Sequence, residues 1–255
     1  MNDVGARFSH VRGERGGPVR TFHPRRSPLG PERTRALEEL WPRFGFSVHD
    51  EALGTGPVDA AGHLDTTALF GRTAPVVLEI GSGMGEATVA MAAADPDRDY
   101  LAVEAHLPGV ANLLGLIERT GLSTVRVAYG DALDLVARIA PDGLDAVHVF
   151  FPDPWPKARH HKRRIIAPDR VALIRSRLRP GGVLHCATDW EPYAEVMLEV
   201  LAADPELVHD GPMPRPPHRP VTAFERRGIE AGHHVTDVVA TRVSTTGRHS
   251  GDEAG

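Results

Sequence analysis

A glycine-rich turn is the first part of this sequence whose residue types and spacing could do chemistry. The run Glu79-Ile-Gly-Ser-Gly-Met-Gly-Glu86 follows a short apolar segment and precedes a helical pattern. Glycines at such a position let a ligand approach the bare backbone beside a helix N-terminus. Gly81, Gly83 and Gly85 are spaced more tightly than the Gly-x-Gly-x-x-Gly turn of dinucleotide-binding folds, which favours a ligand other than a pyrophosphate.

Three carboxylates lie at the ends of successive apolar runs. Glu79 stands just before the glycines, where it would repel a pyrophosphate but attract the sulfonium and ammonium groups of S-adenosylmethionine. Glu104 ends the second run, where a carboxylate can accept both ribose hydroxyls of an adenosyl group. Asp131 follows the third run and is either an acceptor for the adenine amino group or a helix N-cap. Together with Gly81 and Gly83, these acids predict an S-adenosylmethionine site.

A second motif, Phe150-Phe-Pro-Asp-Pro-Trp-Pro-Lys-Ala-Arg-His-His-Lys-Arg-Arg164, follows the fourth apolar run. Its prolines would hold Asp153 rigidly at the sheet edge, beside the cofactor. Trp155 can either stack on a splayed base or pack in the core. The cations after the turn are candidates for contacts with nucleic-acid phosphates, which position a substrate without specifying it. They are Lys157, Arg159, Lys162, Arg163 and Arg164.

This long motif resembles the bacterial tRNA (guanine-N7)-methyltransferases, a family of class I S-adenosylmethionine-dependent enzymes. The resemblance extends from about Arg33 to Arg242, and includes Leu78-Glu-Ile-Gly, Ala187-Thr-Asp-Trp190 and Thr222-Ala-Phe-Glu-Arg-Arg-Gly228. The N-terminal arm and the loop at 52–65 match less well. The family implies that Glu79, Glu104, Asp131 and Asp153 serve the cofactor. It also implies that the tRNA or its target guanine contacts Lys157, Asp189, Thr222, Ala223, Phe224 and Glu225.

The implied reaction is methyl transfer to N7 of a guanine in the tRNA variable loop, at position 46, which forms 7-methylguanosine. N7 carries an in-plane lone pair and no proton, so it needs alignment with the methyl donor more than it needs a general base. We expect Asp153 to be the catalytic residue, since it can accept from the guanine or steady the cofactor. Glu225 would accept from the N1 and N2 donors and so distinguish guanine from adenine.

Three other classes of protein compete with this interpretation. Amino-group methyltransferases use a related Asn/Asp-Pro-Pro-aromatic turn, but here the order is Pro-Asp-Pro-Trp. A non-catalytic RNA-binding module of the same fold would be expected to lack the cofactor acids, and all of them are present. A nicotinamide-dependent dehydrogenase would share Glu104, but it fits the glycine spacing poorly.

Composition sets broader limits. The chain has 255 residues, a formal net charge of −5 and 41% hydrophobic residues, which predicts one folded domain. No apolar stretch is long enough for a signal peptide core or a membrane span, so a cytoplasmic protein with no membrane partner is expected. The single cysteine, Cys186, is expected in the core. His160-His161 and His233-His234 have no accompanying cluster of ligands, so no metal is expected.

The elements that must position these residues alternate between strands and helices. Continuous apolar strands are predicted at 76–80, 100–104, 125–128, 146–150 and 182–187. Helices are predicted at 32–40, 86–94, 108–120, 132–139, 169–178 and 192–203. Such unbroken apolar strands indicate an α/β fold with a doubly wound, mostly parallel sheet covered by helices on both faces. A strand at 235–243 would form an antiparallel edge. Residues 1–31 are expected to be a mobile basic arm outside the core, 54–61 a loop, 32–246 the methyltransferase domain, and 247–255 a disordered tail.

Overall fold

The computed structural model describes residues 8, 21–22 and 29–244, and a central eight-stranded sheet organises them. The strands are β1 (Gly45–Ser47), β2 (Val76–Ile80), β3 (Asp99–Glu104), β4 (Val125–Tyr129), β5 (Leu144–Phe150), β6 (Leu178–Thr188), β7 (Leu207–Val208) and β8 (Thr236–Arg242). Their order across the sheet is β1-β4-β3-β2-β5-β6-β8-β7. Strands β1 to β6 run parallel, β8 is antiparallel to β6, and β7 is antiparallel to β8. The predicted fold class is therefore confirmed.

Helices cover both faces of this sheet. They are α1 (Pro31–Phe44), α2 (Thr66–Phe70), α3 (Glu86–Ala94), α4 (Leu107–Thr120), α5 (Ala132–Arg138), α6 (Pro168–Arg177), α7 (Glu191–Ala203) and α8 (Ala223–Glu230). Apolar side chains of α1, α3 and α4 form one buried cluster with the sheet, and those of α2, α5, α6 and α7 form another. Strand order reverses between β2 and β5, and open α/β folds bind ligands beyond the carboxyl ends of the strands at such a point.

Two predicted boundaries and one predicted strand position are wrong. Helix α1 does not stop at residue 40, because it continues through Pro42 to Phe44, and Trp41 is buried and donates from its indole Nε1 to the carbonyl of Leu53 at 2.9 Å. Strand β6 begins at Leu178, four residues before the predicted start at 182. Strand β8 is not the edge of the sheet, since the two-residue β7 lies outside it.

Part of the N-terminal arm packs into the core. Phe8 is 4% exposed, and its ring lies 5.0 Å from that of Trp41. The Tyr129 hydroxyl donates to the carbonyl of Phe8 at 3.1 Å. The prediction that the arm lies outside the core is therefore wrong at this residue. The remainder of the arm, apart from residues 21–22 and 29–31, and the predicted tail at 247–255 lie outside the described residues.

Two further expectations concern the burial of Cys186 and the presence of membrane-spanning helices. Cys186 is fully buried, and this burial raises the pKa of its thiol to about 12, which confirms it as a core residue. Among the described residues, no helix is long and apolar enough to cross a membrane.

Candidate active site

The glycine turn between β2 and α3 exposes backbone at the carboxyl edge of the sheet. Gly81 and Gly83 have φ values of +75° and +56°, which residues with a Cβ rarely adopt. Helix α4 packs directly against the turn, since a Cβ on Gly109 would lie 2.2 Å from the carbonyl oxygen of Gly83. Asn112 Nδ2 also donates to the carbonyl of Met84 at 2.7 Å. Sequence reasoning missed Gly109 and Asn112, although a glycine in the first turn of an otherwise apolar helix was a usable signal.

Glu104 links this turn to the end of β3. Its two carboxylate oxygens accept from the backbone N–H of Gly83 at 2.8 Å and of His106 at 2.7 Å. Burial raises the pKa of Glu104, while these backbone hydrogen bonds oppose that rise. Each oxygen keeps a lone pair for a further donor, such as a ribose hydroxyl.

Glu79 is the most deeply buried of the four acids predicted to serve the cofactor, with only 3% of the residue exposed. The hydroxyl of Thr88 donates to its Oε2 through a short hydrogen bond. Desolvation raises the pKa of Glu79 to about 7, against the Thr88 hydrogen bond and with a smaller contribution from the charge of Glu104. A carboxyl group held in this way would be ionised more readily if a cation approached it.

Asp131 is the helix N-cap that its sequence position allowed. Its Oδ1 accepts from the backbone N–H of Leu133 at 2.9 Å, so it is the N-cap of α5. Burial raises the pKa of Asp131, and the residue remains partly exposed at the carboxyl end of β4. Its second oxygen stays available as an acceptor.

The turn after β5 holds Asp153 in a strained backbone. Phe151 and Trp155 have φ values of +50° and +46°, and non-glycine residues in this region cost about 1–3 kcal/mol each. The N–H of Phe151 donates to the carbonyl of Ala187 on β6 at 2.8 Å, which ties the turn to the sheet. Asp153 is partly exposed between the two strained residues, and its charge contributes to the raised pKa of Glu104. The turn thus brings Asp153 near Glu104, one of the acids predicted to serve the cofactor.

Trp155 packs in the core and does not present its ring to a base. It is 3% exposed, and its Nε1 donates to the carbonyl of Thr21 at 3.2 Å. Arg163 lies with its guanidinium carbon 4.8 Å from the centre of the Trp155 ring. The core-packing alternative for Trp155 is therefore confirmed.

The basic segment after this turn divides into exposed and buried cations. Residues Ala158–Arg163 form a 3-10 helix, and Lys157, Arg159 and Lys162 are exposed along it. Arg164 is only 5% exposed, and its Nε donates to the carbonyl of Pro154 at 2.8 Å. The prediction that Arg164 contacts phosphate is wrong, because its side chain is buried. Its hydrogen bond to Pro154 stabilises the turn that carries Asp153.

Helix α8 begins beside the glycine turn. Thr222 caps it, since its hydroxyl accepts from the N–H of Glu225 at 3.2 Å. The N–H of Ala223 donates to Glu86 Oε2 at 3.0 Å, which joins the start of α8 to the start of α3. Phe224 is 51% exposed, and its ring lies 5.3 Å from that of Phe151. This aromatic pair stands beside Asp153.

Glu225 points away from the site into a buried ionic network. Arg219 donates from Nη1 and Nη2 to the two oxygens of Glu225 at 2.7 and 2.9 Å, and from Nε and Nη2 to Asp237 at 2.6 and 2.8 Å. All three residues are at most 2% exposed. The prediction that Glu225 accepts from a guanine is wrong in this geometry, because its carboxylate is buried and faces Arg219 instead of the sheet edge. Sequence reasoning did not single out Arg219.

Asp189 follows β6 at the same edge of the sheet. It is partly exposed, and its Oδ2 lies 3.2 Å from His233 Nδ1. The structure therefore gathers the glycine turn, Glu79, Glu104, Asp153 and Asp189 around the carboxyl ends of β2, β3, β5 and β6.

Comparison with known proteins adds independent information. Residues 73–238 match the family model described as "Putative methyltransferase". A tRNA (guanine-N(7)-)-methyltransferase of Streptomyces avermitilis is 50% identical over 236 residues, which are 91% of this chain and 78% of that protein. One of the same name from Halorhodospira halophila is 52% identical over 226 residues, covering 87% of this chain and 94% of its own.

Among solved structures, the 16S rRNA methyltransferase KamB superposes with a TM-score of 0.54. The match covers 74% of this chain and 95% of that chain at 16% sequence identity, so it bears on the fold alone.

Proposed function

The chain belongs to the tRNA (guanine-N7)-methyltransferase family, and we propose that its target is the guanine at position 46 in the variable loop. It is an S-adenosylmethionine-dependent enzyme that methylates N7 of guanine in tRNA. The observation that carries this conclusion is about 50% identity to curated relatives of that name over about nine-tenths of the chain.

The residues at the carboxyl edge suit the cofactor, which supplies an electrophilic methyl group on a sulfonium when bound. A buried carboxyl whose pKa is raised to about 7 is stabilised by a nearby cation, which assigns Glu79 to the ammonium or sulfonium end. Gly81 and Gly83 offer bare backbone at the turn. The free lone pairs of Glu104 suit the ribose hydroxyls, and the second oxygen of Asp131 suits the adenine amino group.

The acceptor side is assigned to Asp153 and its neighbours. N7 of guanine attacks with a lone pair that carries no proton, so the protein has to align the base more than to deprotonate it. Asp153 can accept from the base edge and offset the positive charge that the ring gains. The exposed ring of Phe224 is placed to stack on the base, and Asp189 offers a second acceptor.

The tRNA backbone is assigned to the exposed cations of the basic segment. Lys157, Arg159 and Lys162 follow the acidic turn directly, so phosphates held there would lie next to the transfer point. Since the substrate is tRNA, we place the enzyme in the cytoplasm, and we assign the methyltransferase activity to a single domain at 32–246.

The decisive experiment uses unmodified tRNA, labelled S-adenosylmethionine and nucleoside mapping by mass spectrometry. We expect 7-methylguanosine at position 46, and a tRNA with adenosine at that position to stay unlabelled. Label on an exocyclic amino group, or on a protein, would instead support the amino-group alternative.

A variant pair tests Asp153 in the same assay. Asp153→Asn keeps the size of the side chain but removes its charge, so turnover should fall far more than tRNA affinity. Asp134→Asn, on the exposed side of α5, is the matched control and should behave like the wild type. Equal turnover in Asp153→Asn would remove Asp153 from the acceptor site.

A further inference from the structure

Three histidines from distant parts of the chain meet on one face of the sheet. His148 on β5 and His185 on β6 are direct partners in the parallel register, so their side chains lie side by side. His218 comes from the segment between β7 and α8 and approaches the same face. One ring nitrogen from each histidine lies within 4.8 Å of the other two, and His185 Nδ1 is 3.2 Å from His218 Nε2.

One ring nitrogen of the histidine cluster has no hydrogen-bond partner among the described residues. His148 is 4% exposed, and its Nδ1 is buried without a hydrogen-bond partner among the described residues. An unpaired buried polar atom costs about 1–3 kcal/mol, so it calls for a ligand. His185 Nε2 lies 2.7 Å from Asp237 Oδ1, a hydrogen bond that leaves the Nδ1 lone pair facing His218. Carboxylates orient metal-binding histidines in this way.

We propose that His148, His185 and His218 bind a single zinc ion, with Asp237 orienting His185 from behind. Zinc–nitrogen bonds of about 2.0–2.1 Å in a tetrahedron place ligand nitrogens about 3.3 Å apart. The His185 and His218 nitrogens already have this separation, and the His148 nitrogen, which lies within 4.8 Å of both, would move closer to complete the triangle. Three imidazoles without a carboxylate ligand favour zinc over magnesium or calcium, which prefer oxygen.

The surrounding charges are compatible with a bound cation. Asp237 is the acid in contact with the cluster, through His185. Arg219 and Arg98 are the nearby cations, and each has a carboxylate partner of its own: Arg219 pairs with Glu225 and Asp237, and Arg98 Nη1 lies 3.0 Å from Asp145 Oδ2.

The surroundings of two of these histidines favour their neutral forms. Burial lowers the pKa of His148 well below its usual value, with smaller contributions from His185, His218 and Arg98, and partial desolvation lowers the pKa of His218, with contributions from His185 and Arg98. These rings are therefore neutral near pH 7 and keep their lone pairs.

The ion would be a structural zinc ion, separate from the methyl-transfer site. It would pin the segment that carries His218 to β5 and β6. The same segment carries Arg219 and leads into α8. The zinc ion would therefore hold in place the part of the sheet edge that we propose to bind the target guanine. His218 is exposed, which leaves a fourth coordination position for water.

Calorimetric titration of Zn²⁺ into the chelator-treated full-length protein tests the proposal. We expect one tight site in the wild type. His218→Ala changes an exposed ligand and should keep the fold. It should weaken Zn²⁺ binding by roughly 100-fold or more, because loss of a residue that only hydrogen-bonds to a metal ligand already weakens metal binding by about 10- to 100-fold. His234→Ala, in an exposed histidine pair, is the matched control and should bind like the wild type. The absence of a tight site, or equal affinity in His218→Ala, would overturn the proposal.

A second measurement does not depend on any variant. Crystals of the protein with one equivalent of Zn²⁺, measured at the zinc absorption edge, should show an anomalous peak between the rings of His148, His185 and His218. A peak only at other histidines would refute the site. Hydrogen exchange on the full chain should also slow in the segment at 209–222 when Zn²⁺ is added. An unchanged exchange rate would contradict the idea that zinc holds this segment against β5 and β6.

Discussion

At the scale of single residues, Glu79 and Glu104 show how one site holds two acids differently. Glu104 accepts from two backbone N–H groups, so its charge is supported before any ligand arrives. Glu79 accepts from the Thr88 hydroxyl and is almost fully buried, so its charge is poorly supported until a cation approaches. The two acids should therefore respond differently to substitution by glutamine.

Glu104→Gln should weaken S-adenosylmethionine binding without unfolding the protein. The variant loses charge-assisted hydrogen bonds to the ribose, which corresponds to about 1.5–3 kcal/mol or roughly 10- to 150-fold in Kd. Calorimetry measures the affinity directly. Glu118→Gln, at the far end of α4, is the control and should leave Kd unchanged. An unchanged Kd in folded Glu104→Gln would exclude Glu104 from the cofactor site.

Glu79→Gln should stabilise the cofactor-free protein in a pH-dependent way. The carboxyl titrates near 4.5 when the chain is unfolded and near 7 when it is folded, so folding retains a proton between these values. Stability of the wild type consequently falls as pH rises from 4.5 to 7, by about 3 kcal/mol from this group. Glutamine has no charge to bury, so the variant should gain that amount above pH 7 and nothing near pH 4.5.

Urea unfolding of the wild type and the variant at pH 5 and pH 8 gives the difference between their free energies of unfolding at each pH. Contributions from groups that titrate alike in both proteins cancel in this difference. A gain of equal size at the two pH values would show that the charge of Glu79 is not the cause. The same variant should bind S-adenosylmethionine more weakly at pH 8, since it lacks the carboxylate that we assign to the cationic end of the cofactor.

At the scale of elements, the basic segment has two structural roles within eight residues. Lys157, Arg159 and Lys162 are exposed along the 3-10 helix, whereas Arg164 is buried against Pro154 and Tyr193. Charge alone therefore does not decide which cations meet the tRNA. Burial separates the cations that we propose to bind tRNA from Arg164, which supports the turn.

The double variant Arg159→Ala, Lys162→Ala should raise the Michaelis constant for tRNA and flatten its salt dependence. Two fewer cations release fewer counterions, which reduces the slope of log K against log salt by roughly 1–2. Kinetics at several salt concentrations measure this slope. Arg119→Ala, at the end of α4 away from the site, should keep the slope of the wild type. An unchanged slope in the double variant would place the tRNA elsewhere.

How far sequence predicts these elements depends on their length and partners. The apolar runs of β2, β3 and β5 are continuous because both faces of each strand are buried, so they could be recognised without a structure. The three-residue β1 and two-residue β7 are too short to show any period. Helix α8 was missed because five of its eight residues are charged or glycine, and its buried side is held by an ion pair.

The same argument applies to the site. Glu79, Glu104 and Asp131 could be predicted because each ends a recognisable strand, and strand ends meet at one edge. The direction of Glu225 could not, because its partner Arg219 stands in a proline-rich segment where an arginine is usually exposed. The histidine cluster was equally hidden, since its members are 37 and 33 positions apart along the chain.

At the scale of the whole molecule, the second half of the chain is held together by contacts between remote segments. Arg219 lies between Glu225 at the start of α8 and Asp237 on β8, and Asp237 also bonds to His185 on β6. Burial alone would raise the pKa of Asp237, but its hydrogen bonds to His185 and Arg219 lower it instead. The ionised form of Asp237 is thus part of the native structure, and Arg219 is the residue on which both carboxylates depend.

Arg219→Met should therefore destabilise the protein strongly, because it leaves two buried carboxylates without their partner. Breaking a buried ion pair on one side costs about 3–5 kcal/mol. Urea unfolding should show this loss at pH 8, and Arg227→Met, which changes an exposed arginine on the same α8, should show little. The loss should shrink toward pH 5, because a buried Asp237 without Arg219 takes up a proton more readily in the variant, whereas the lowered pKa of Asp237 keeps this carboxylate ionised in the wild type across the same range. A deficit that is independent of pH would mean that Arg219 stabilises the fold by packing, and that its charge does not hold α8 against the sheet.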